Sequence, residues 1–408
     1  MRVFYLCHRL PYPPDKGDKI RAFNQLRAIA TRHEVDVFTL ADDPRDLAHQ
    51  PALAELCHRV AVARISPRIA RVRALPSLFT RTPLTIPYFY SRELMRKIQK
   101  SLASRSYDRI FVYCSAMSQY VESVDRIPVL TDLVDVDSDK WIQYASFTRF
   151  PFSAIYRREG QRLREYERLI LEKSAAAVVS TEREAQLARL IAPGAKIHVI
   201  PNGVDTAYFN PEIVPPERTL PTVVFTGDMS YFPNQEAVCY FARKVLPLVR
   251  RSVAETRFLI VGRNPGRNVR RLSQIAGVQV TGFVPDVRAY LAKAHVAVAP
   301  FSIAAGIQNK ILEAMAYGLP VVATARTAQG LARGVAELVD TGNTAEEMAA
   351  KIVPLLRNSR LAQNQGVEGR MRVAKAYSWP HSAAKYLELL EDPASAQFPT
   401  AEAQSSLA

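Results

Sequence analysis

The stretch from Gly306 to Pro320 holds the side chains of this chain that best fit a chemical function. An apolar strand leads into a turn at Gly306, and the helix that follows carries Lys310 and Glu313. A strand, a glycine turn and a helix direct unpaired backbone N–H groups and the positive end of a helix dipole to one point, which suits a diphosphate. The carboxylate of Glu313 suits a pair of sugar hydroxyls, such as a ribose diol. The alternative is a purely structural βαβ unit, in which Gly318 only ends the helix.

We therefore predict a nucleoside diphosphate site in this stretch. The residues assigned to it here are Gly306, Ile307, Gln308, Asn309, Lys310 and Glu313. Three other predicted strands in the same half of the chain also end in glycine before a helical pattern. Because parallel strands bind ligands beyond their carboxyl ends, these turns are expected to contribute to the same site. They add Gly227, Asn234, Gly262, Arg263, Phe283 and Val284, with the ring of Phe283 placed for a nucleotide base.

The loop after the first strand is rich in proline and in charge. It lacks the G-x-G-x-x-G fingerprint of dinucleotide-binding domains, which excludes a nicotinamide dehydrogenase. Gly17 precedes a helix and offers backbone N–H groups, and Lys16 and Arg21 add positive charge. We assign Lys16, Gly17, Asp18 and Arg21 to phosphate or acceptor binding; a plain surface loop is the alternative.

The run from Asp135 to Asp139 invites a metal interpretation. It does not fit a calcium loop, because no glycine stands at the sixth position and Ser146 occupies the twelfth. We expect no metal here. Asp135 and Asp137 are instead predicted as catalytic carboxylates that contact an acceptor hydroxyl. Trp141 follows them, and an indole face beside acids is a common arrangement for binding sugars.

Strands alternating with helices must position these residues. Seven short apolar runs before residue 210 and five after residue 221 are predicted as strands. This alternation predicts α/β architecture, with two Rossmann-like, doubly wound domains facing across a cleft.

Prolines mark the division between the predicted domains. The segment 210–221 contains four prolines in 12 residues and is predicted as a linker. Residues 1–209 are then the acceptor-binding domain and 222–378 the nucleotide-binding domain. We expect 379–392 to form a helix that packs back on the first domain, and 393–408 to be a disordered tail.

Composition sets the cellular context. The chain of 408 residues is 48% hydrophobic, and its four cysteines show no metal spacing, as expected for free thiols in a reducing compartment. No apolar stretch approaches the roughly 20 residues needed to span a bilayer. We therefore expect a cytoplasmic protein.

The net charge of +15 is concentrated in one segment. Residues 59–109 hold 12 Arg and Lys against two acids, and apolar or aromatic residues lie between them. This composition is typical of surfaces that bind anionic lipid headgroups, so we expect peripheral attachment to the inner face of the plasma membrane. A solvated basic face without a partner is the alternative. No recognition motif for nucleic acid accompanies the segment, and no nucleic-acid partner is expected.

Several motifs resemble glycosyltransferase family 4, a group of retaining enzymes with the GT-B fold. The motifs are Pro201–Asp205, Val280–Asp286 and Glu313–Ala323, and the likeness covers most of residues 1–390. Three more segments resemble the sugar transferases associated with exosortase (PEP-CTERM) exopolysaccharide clusters. These segments are Asp135–Trp141, Phe225–Met229 and Gly306–Lys310.

The resemblance implies a nucleotide-sugar donor in the second domain, a glycan or lipid-linked acceptor on the first, and no cofactor. Glu313 matches the second Glu of the family's E-x7-E motif, which usually holds the ribose. The sequence departs from the pattern at Ala305, where the first Glu belongs, and at Gln308, which replaces a frequent glycine. Basic residues that often follow the first strand of this domain are absent. Lys310 is expected to supply the catalytic positive charge, with Arg263 as a second candidate.

These features predict retaining glycosyl transfer to a growing glycan in exopolysaccharide biosynthesis. Two alternatives stay open: a catalytically inactive nucleotide-sugar-binding scaffold at the membrane, and a nucleotide-sugar epimerase, which would need acid and base pairs around the donor sugar.

Overall fold

The computed structural model describes residues 1–303 and 306–393. The chain forms two compact units: unit 1 is Met1–Pro201 together with the described residues from 380 to 393, and unit 2 is Asn202–Trp379. This division falls at residue 201 and not at the predicted 209. The reason is that Val204 pairs with Ser378, and a Cβ on Gly203 would lie only 2.6 Å from Trp379 Cδ2, so both residues are fixed to unit 2. Residues 210–221 contain neither helix nor strand.

Unit 1 is built on a parallel sheet. Its strands are β1 (Arg2–Cys7), β2 (Glu34–Ala41), β3 (Arg59–Arg64), β4 (Arg109–Tyr113), β5 (Val129–Val134), β6 (Ala176–Val179) and β7 (Ile197–Val199). Within the described residues the strand order is β3-β2-β1-β4-β5-β6-β7. The order reverses between β1 and β4, and such a switch point is where open parallel sheets bind ligands.

Helices connect these strands. They are α1 (Gly17–Ala30), α2 (Gln50–Ala54), α3 (Pro67–Ala74), α4 (Thr85–Tyr88), α5 (Arg92–Ser104), α6 (Asp137–Ser146), α7 (Phe152–Lys173) and α8 (Glu182–Ile191). Short 3-10 helices cover Pro44–His49, Leu75–Leu78 and Ser115–Tyr120. Helices cover both faces of the parallel sheet, so its central strands are buried, and Val3 to Cys7 of β1 are apolar and fully buried.

Unit 2 repeats the arrangement. Its strands are β8 (Thr222–Thr226), β9 (Arg257–Val261), β10 (Val278–Gly282), β11 (Val296–Ala299), β12 (Val321–Ala323) and β13 (Asp340–Thr341). Their order in the described residues is β10-β9-β8-β11-β12-β13, with the switch point between β8 and β11. The first five match the predicted strands, whereas β13, of two residues, was not predicted.

The helices of unit 2 surround this sheet. They are α9 (Phe232–Tyr240), α10 (Leu246–Ser252), α11 (Arg267–Arg270), α12 (Arg288–Leu291), α13 (Asn309–Ala316), α14 (Ala325–Ala328), α15 (Arg333–Ala336), α16 (Ala345–Arg357) and α17 (Ser359–Ala376). A π-helix, Phe241–Val245, joins α9 to α10, where the sequence predicts one continuous helix over 235–251. A 3-10 helix covers Arg271–Gln274. Both units are parallel sheets with helical connections, which confirms the predicted Rossmann-like α/β class.

The last helix, α18 (Trp379–Glu391), contributes to the core of unit 1. Its side chains Tyr386, Leu389 and Leu390 are buried there with the strands. The Tyr386 hydroxyl donates a hydrogen bond to Asp132 Oδ2 over 3.1 Å. Among the described residues, no helix combines the length and hydropathy required to traverse a bilayer.

Candidate active site

Two adjacent strands of unit 2 end in glycines whose backbones pack directly together. Gly227 follows β8 with φ of +155°, and Gly262 follows β9 with φ of +151°. A Cβ on Gly262 would lie 1.7 Å from the carbonyl oxygen of Gly227, so no side chain fits there. The Gly227 N–H donates to Val261 O over 3.0 Å, and the Gly262 N–H donates to Gly282 O over 3.2 Å. The main-chain groups at the ends of β8 and β9 therefore lie next to each other at the carboxyl edge of the sheet.

Asn234 and Lys310 both reach the Gly227 turn. A Cβ on Gly227 would lie 2.9 Å from Asn234 Nδ2 and 3.3 Å from Lys310 Cε. The Asn234 amide donates to Asp228 O over 2.8 Å, while its buried Oδ1 has no hydrogen-bond partner among the described residues. Four of the predicted site residues, Gly227, Gly262, Asn234 and Lys310, therefore meet at the carboxyl edge of the sheet.

Lys310 lies over two aromatic rings at this edge. Its Nζ is 4.6 Å from the ring centre of Phe301 and 5.5 Å from that of Phe225, and it donates to Gln308 Oε1 over 3.3 Å. Burial lowers the pKa of Lys310 to about 8, although the nearby Glu313 carboxylate acts in the opposite direction. At neutral pH the ammonium is therefore charged but only weakly hydrated, and a weakly hydrated cation interacts strongly with an anionic ligand.

Glu313 lies one turn further along α13 and is half-buried. No described residue forms a hydrogen bond or an ion pair with its carboxylate. Burial raises the pKa of Glu313, and the charge of Lys310 offsets part of that rise. The carboxylate is therefore available to accept hydrogen bonds from two hydroxyl groups.

The turn before α13 is held from several sides. Gly306 has φ of +60°, and a Cβ on Gly330 would lie 2.7 Å from Gly306 O. Gln308 is the N-cap residue, without a side-chain capping bond, and Ile307 before it is half-buried. Asn309, the first residue of the helix, accepts a hydrogen bond from Asn202. Ala305, which stands where the family motif has its first Glu, lies outside the described residues.

Arg263 is held by a neighbouring strand end. Its Nε lies 3.0 Å from Asp228 Oδ2. Burial would raise the pKa of Asp228, but hydrogen bonds from Ser230, Arg263 and Asn264 outweigh it, so the pKa is lowered. The ion pair links the turns after β8 and β9. Arg263 thus forms an ion pair with Asp228. The sequence predicts Arg263 as a second candidate for the positive charge that faces the diphosphate. At the third strand end, Phe283 is exposed and Val284 half-buried.

In unit 1 the structure places Arg21 in the core. Its Nε and one terminal nitrogen lie 2.9 and 3.1 Å from the two carboxylate oxygens of Asp132, and its other terminal nitrogen donates to Ile200 O. Both members of the pair are buried. The predicted role of Arg21 in acceptor binding is therefore corrected. The guanidinium is a structural group that links α1 to β5 and to Ile200, the residue that follows β7.

Asp18, at the start of α1, belongs to a polar group at the switch point of this sheet. His8 Nε2 lies 3.3 Å from Asp18 Oδ2, and an Arg9 terminal nitrogen lies 2.5 Å from the same oxygen. Burial would raise the pKa of Asp18, but the hydrogen bond from His8 and the charge of Arg9 hold it well below its usual range. Lys16 is half-buried as the N-cap residue of α1, and Gly17 is exposed. His8 was not among the predicted site residues, although it directly follows β1.

Asp135 and Asp137 lie at the carboxyl end of β5. Asp135 Oδ1 accepts a hydrogen bond from Ser180 Oγ over 2.8 Å, and burial raises its pKa. Asp137 begins α6 and lies 3.6 Å from Lys140 Nζ. Trp141 packs in unit 1 with its ring centre 5.2 Å from that of Tyr156.

Two buried carboxylates next to this stretch were not predicted. Glu184 Oε2 accepts from the Val136 N–H over 2.7 Å, and burial raises the pKa of Glu184 to about 7. Glu167 accepts from the main chain and hydroxyl of Ser138, and burial raises its pKa to about 8. Both hold the loop that carries the two aspartates. The one sequence signal for these two glutamates is that each falls on the buried face of an amphipathic helix, α7 for Glu167 and α8 for Glu184.

A separate cluster of Glu34, Asp36 and His58 has donor atoms within metal-binding distance of one another. Arg105 fills it: one terminal nitrogen lies 2.8 Å from Asp36 Oδ2 and 3.0 Å from His58 Nδ1. A guanidinium in this position makes the cluster an ion-pair network.

Family models match both halves of the chain. Residues 20–203 match the model described as a glycosyl transferase 4-like domain, and residues 220–358 match that of glycosyl transferases group 1. The chain thus carries a glycosyl transferase 4-like domain followed by a glycosyl transferases group 1 domain.

Two curated relatives share about a quarter of their aligned residues with it. A phosphatidylinositol N-acetylglucosaminyltransferase subunit of Arabidopsis thaliana is 28% identical over 53% of this chain and 48% of its own length. The GDP-mannose-dependent alpha-(1-6)-phosphatidylinositol monomannoside mannosyltransferase of Mycobacterium tuberculosis is 27% identical over 52% of this chain and 60% of its own length. The chain thus aligns with about half the length of these relatives.

Solved structures match the fold over almost the whole chain. The sucrose-phosphate synthase of Thermosynechococcus elongatus superposes with a TM-score of 0.68 at 18% identity, covering 95% of this chain and 98% of that one. Anabaena HepE in complex with UDP-glucose gives 0.65 at 17% identity, covering 96% and 99%. These likenesses establish the GT-B class of fold.

Proposed function

We propose that this glycosyltransferase transfers a sugar, with retention of configuration at the anomeric carbon, from a nucleoside diphosphate sugar to a glycan or lipid-linked acceptor. The observation that carries the proposal is the convergence of Gly227, Gly262, Asn234 and Lys310 at one edge of the unit 2 sheet. The HepE structures with UDP and UDP-glucose support a nucleotide-sugar donor by analogy of fold.

In the proposed reaction the bond between the donor's anomeric carbon and the diphosphate oxygen breaks, and its electron pair stays on the diphosphate. The acceptor hydroxyl oxygen forms the new bond to that carbon, and its proton passes to a diphosphate oxygen. Lys310, the main-chain groups of the turn before α13 and the helix dipole stabilise the developing charge. One preorganised donor of this kind typically contributes about 3 kcal/mol.

Glu313 has a separate role in binding. Its carboxylate, one turn beyond Lys310, accepts hydrogen bonds from the ribose diol of the donor. Phe283, exposed after β10, offers a ring for the base. Glu313 thus sets donor affinity, while Lys310 sets the rate of bond cleavage.

Unit 1 supplies the acceptor side in this proposal. Asp135 and Asp137 accept hydrogen bonds from an acceptor hydroxyl, and Trp141 covers a sugar ring. Lys16, Gly17 and Asp18 frame the entry to the switch point. A lipid-linked acceptor is supported by the names of the two curated relatives, both of which contain phosphatidylinositol. It is also supported by the basic segment 59–109, which fits an anionic membrane surface.

The decisive experiment is a donor screen with a transfer assay. The melting temperature is measured with UDP-, GDP-, ADP- and TDP-linked hexoses, and the donor that raises it most is incubated with membrane extract. We expect sugar in the lipid or glycan fraction, with the donor's anomeric configuration kept in the product. An inactive scaffold would bind without turnover, and an epimerase would change the sugar of the unreacted donor. Failure of every nucleotide sugar to bind at millimolar concentration would overturn the proposal.

The place of the reaction in exopolysaccharide biosynthesis rests on the motif resemblance to PEP-CTERM-associated transferases. Disruption of the gene in its host is expected to remove the polysaccharide, with restoration by the wild type but not by Lys310→Ala. Polysaccharide of normal amount and composition after disruption would contradict this part of the proposal.

A further inference from the structure

We propose that unit 1 inserts an aromatic tip, formed by residues 147–152, into the headgroup region of an anionic bilayer. The tip joins α6 to α7, and its side chains Phe147, Phe150 and Phe152 are exposed. The inference rests on the proposed lipid-linked acceptor, and it adds a membrane-contacting element outside the basic segment 59–109.

A second apolar group lies on α3, on the 3-10 helix that follows it and on the C-cap residue of that 3-10 helix. Its members are Ile69, Val72, Leu75 and Phe79. Together with the three phenylalanines, these side chains have between 48% and 89% of their area exposed. Large apolar side chains in such number on one part of a surface indicate an interaction site.

Contacts with α7 place the chain that surrounds and follows the second group beside the helix that begins at the tip. Arg162 donates to Ser77 O over 2.5 Å, and Glu159 accepts from the N–H groups of Leu84 and Thr85 over 2.6 and 2.9 Å. The segment 77–85 therefore runs along α7 toward its first residue. Phe152 lies seven residues before Glu159, which is ~10 Å along a helix.

The α6–α7 hairpin is a firm support for the tip. A Cβ on Gly160 would lie 2.7 Å from Ile142 Cγ1 and 2.8 Å from Ser138 O, so the two helices pack backbone against backbone. Glu167 fixes the start of α6 through Ser138. A rigid hairpin presents its end residues to a membrane without losing conformational entropy on binding.

Charge identifies the occupant as an anionic bilayer. Residues 66–92 and 140–158 contain no Asp or Glu, and each stretch contains several Arg or Lys. Arg68, Arg71, Arg81, Arg149, Arg157 and Arg158 are exposed and form no ion pair with a described residue. Scattered aromatic rings among such cations suit the interface between headgroups and acyl chains, where rings enter the apolar region and guanidinium groups bind phosphate.

Vesicle binding tests the proposal. The full chain is sedimented with vesicles of phosphatidylcholine alone and of phosphatidylcholine with phosphatidylglycerol. The tip variant carries Phe147→Ser, Phe150→Ser and Phe152→Ser. The control is Leu190→Ser, since Leu190 of α8 is also exposed, at 71%, but lies outside the proposed face. We expect binding to the anionic vesicles, a loss of at least roughly tenfold in the tip variant, and no loss in the control.

Trp141 provides an independent readout, because it contacts Tyr156 of α7 near the tip and is one of two tryptophans in the chain. Brominated lipids in the anionic vesicles are expected to quench its fluorescence, and the quenching is expected to disappear in Trp141→Phe. The melting temperature with the best nucleotide sugar shows that the tip variant is folded and that the donor site is intact.

The other possible outcomes either overturn the membrane proposal or separate it from the proposed function. Equal vesicle binding by the tip variant and the wild type overturns it, as does the absence of binding by the wild type. A lipid-free dimer that the tip variant converts to a monomer would assign the face to a second copy of the chain. Vesicle binding by a chain that binds no nucleotide sugar would leave the tip in place and remove the proposed function.

Discussion

Asn202 Nδ2 donates a hydrogen bond to Asn309 Oδ1 over 2.9 Å. Asn202 is buried and is the first residue of unit 2, whereas Asn309 is the first residue of α13. The bond joins two positions that are 107 residues apart in the chain. Because Asn202 binds the Asn309 oxygen, the Asn309 amide nitrogen is the group left to donate a hydrogen bond to the proposed diphosphate.

Substitution of Asn202 by aspartate is expected to reverse the Asn309 amide. A carboxylate at 202 only accepts, so Asn309 must turn its nitrogen inward and present its oxygen to the donor phosphates. We expect Asn202→Asp to weaken binding of the nucleoside diphosphate about tenfold or more by calorimetry, and Asn202→Ala to weaken it less. In an Asn309→Ala background Asn202→Asp should have no further effect. An unchanged Kd in the single variant would contradict the coupling.

Lys310 predicts an alkaline limit to activity. Its pKa of about 8 lies below the usual ~10.4, so the ammonium is lost as pH rises through about 8. We expect kcat/KM, which reports the free enzyme, to fall above that pH. In Lys310→Arg the cation persists and the fall should disappear, even if the maximal rate is lower. Lys310→Met is expected to lower kcat about 100-fold with little change in donor affinity. A pH profile shared by the wild type and Lys310→Arg would rule out this role.

Glu313 is tested through the ribose hydroxyls. Glu313→Ala is expected to weaken binding of the preferred nucleoside diphosphate by about 1.5–3 kcal/mol, since it removes hydrogen bonds to a charged acceptor. The matched ligand is the corresponding dideoxynucleoside diphosphate, which should bind the wild type and the variant equally. If calorimetry shows that Glu313→Ala weakens binding of the nucleoside diphosphate and of its dideoxy form by the same free energy, Glu313 does not bind the ribose diol.

Gly262 should be irreplaceable for steric reasons. The Cβ of Gly262→Ala would overlap the Gly227 carbonyl and force the two turns apart. We expect loss of donor binding and a decrease in unfolding free energy of about 1–3 kcal/mol. Gly194→Ala is the control, because nothing lies within 4 Å of the position of its Cβ. Equal melting temperatures and donor affinities for the two variants would refute the assignment.

The pattern of apolar runs predicted the strands well, because central parallel strands are buried on both faces. It failed where an element is very short, as in β13, or where the helix geometry changes, as in the π-helix at Phe241–Val245. No local pattern distinguishes a π turn from an α turn within one amphipathic run.

The sequence predicts the glycine turns that the structure brings together at the candidate site, but it does not predict all the partners of the neighbouring charged residues. The sequence assigns Arg21 to phosphate or acceptor binding and gives no sign of its partner Asp132, which lies 111 residues away. The sequence assigns Arg263 to donor binding and does not reveal its ion pair with Asp228, which follows the neighbouring strand. Glycine turns are visible in one stretch of sequence, whereas long-range ion pairs depend on the order of strands in the sheet.

The position of α18 in the core of unit 1 has a consequence for biosynthesis. The segment that supplies Tyr386 and Leu390 leaves the ribosome only after all of unit 2 has been made. Until then, the apolar surface that these side chains cover stays open to solvent on the nascent chain. Unit 2, whose residues are contiguous, is free to fold in the meantime, so the part of the protein that is translated first is completed last.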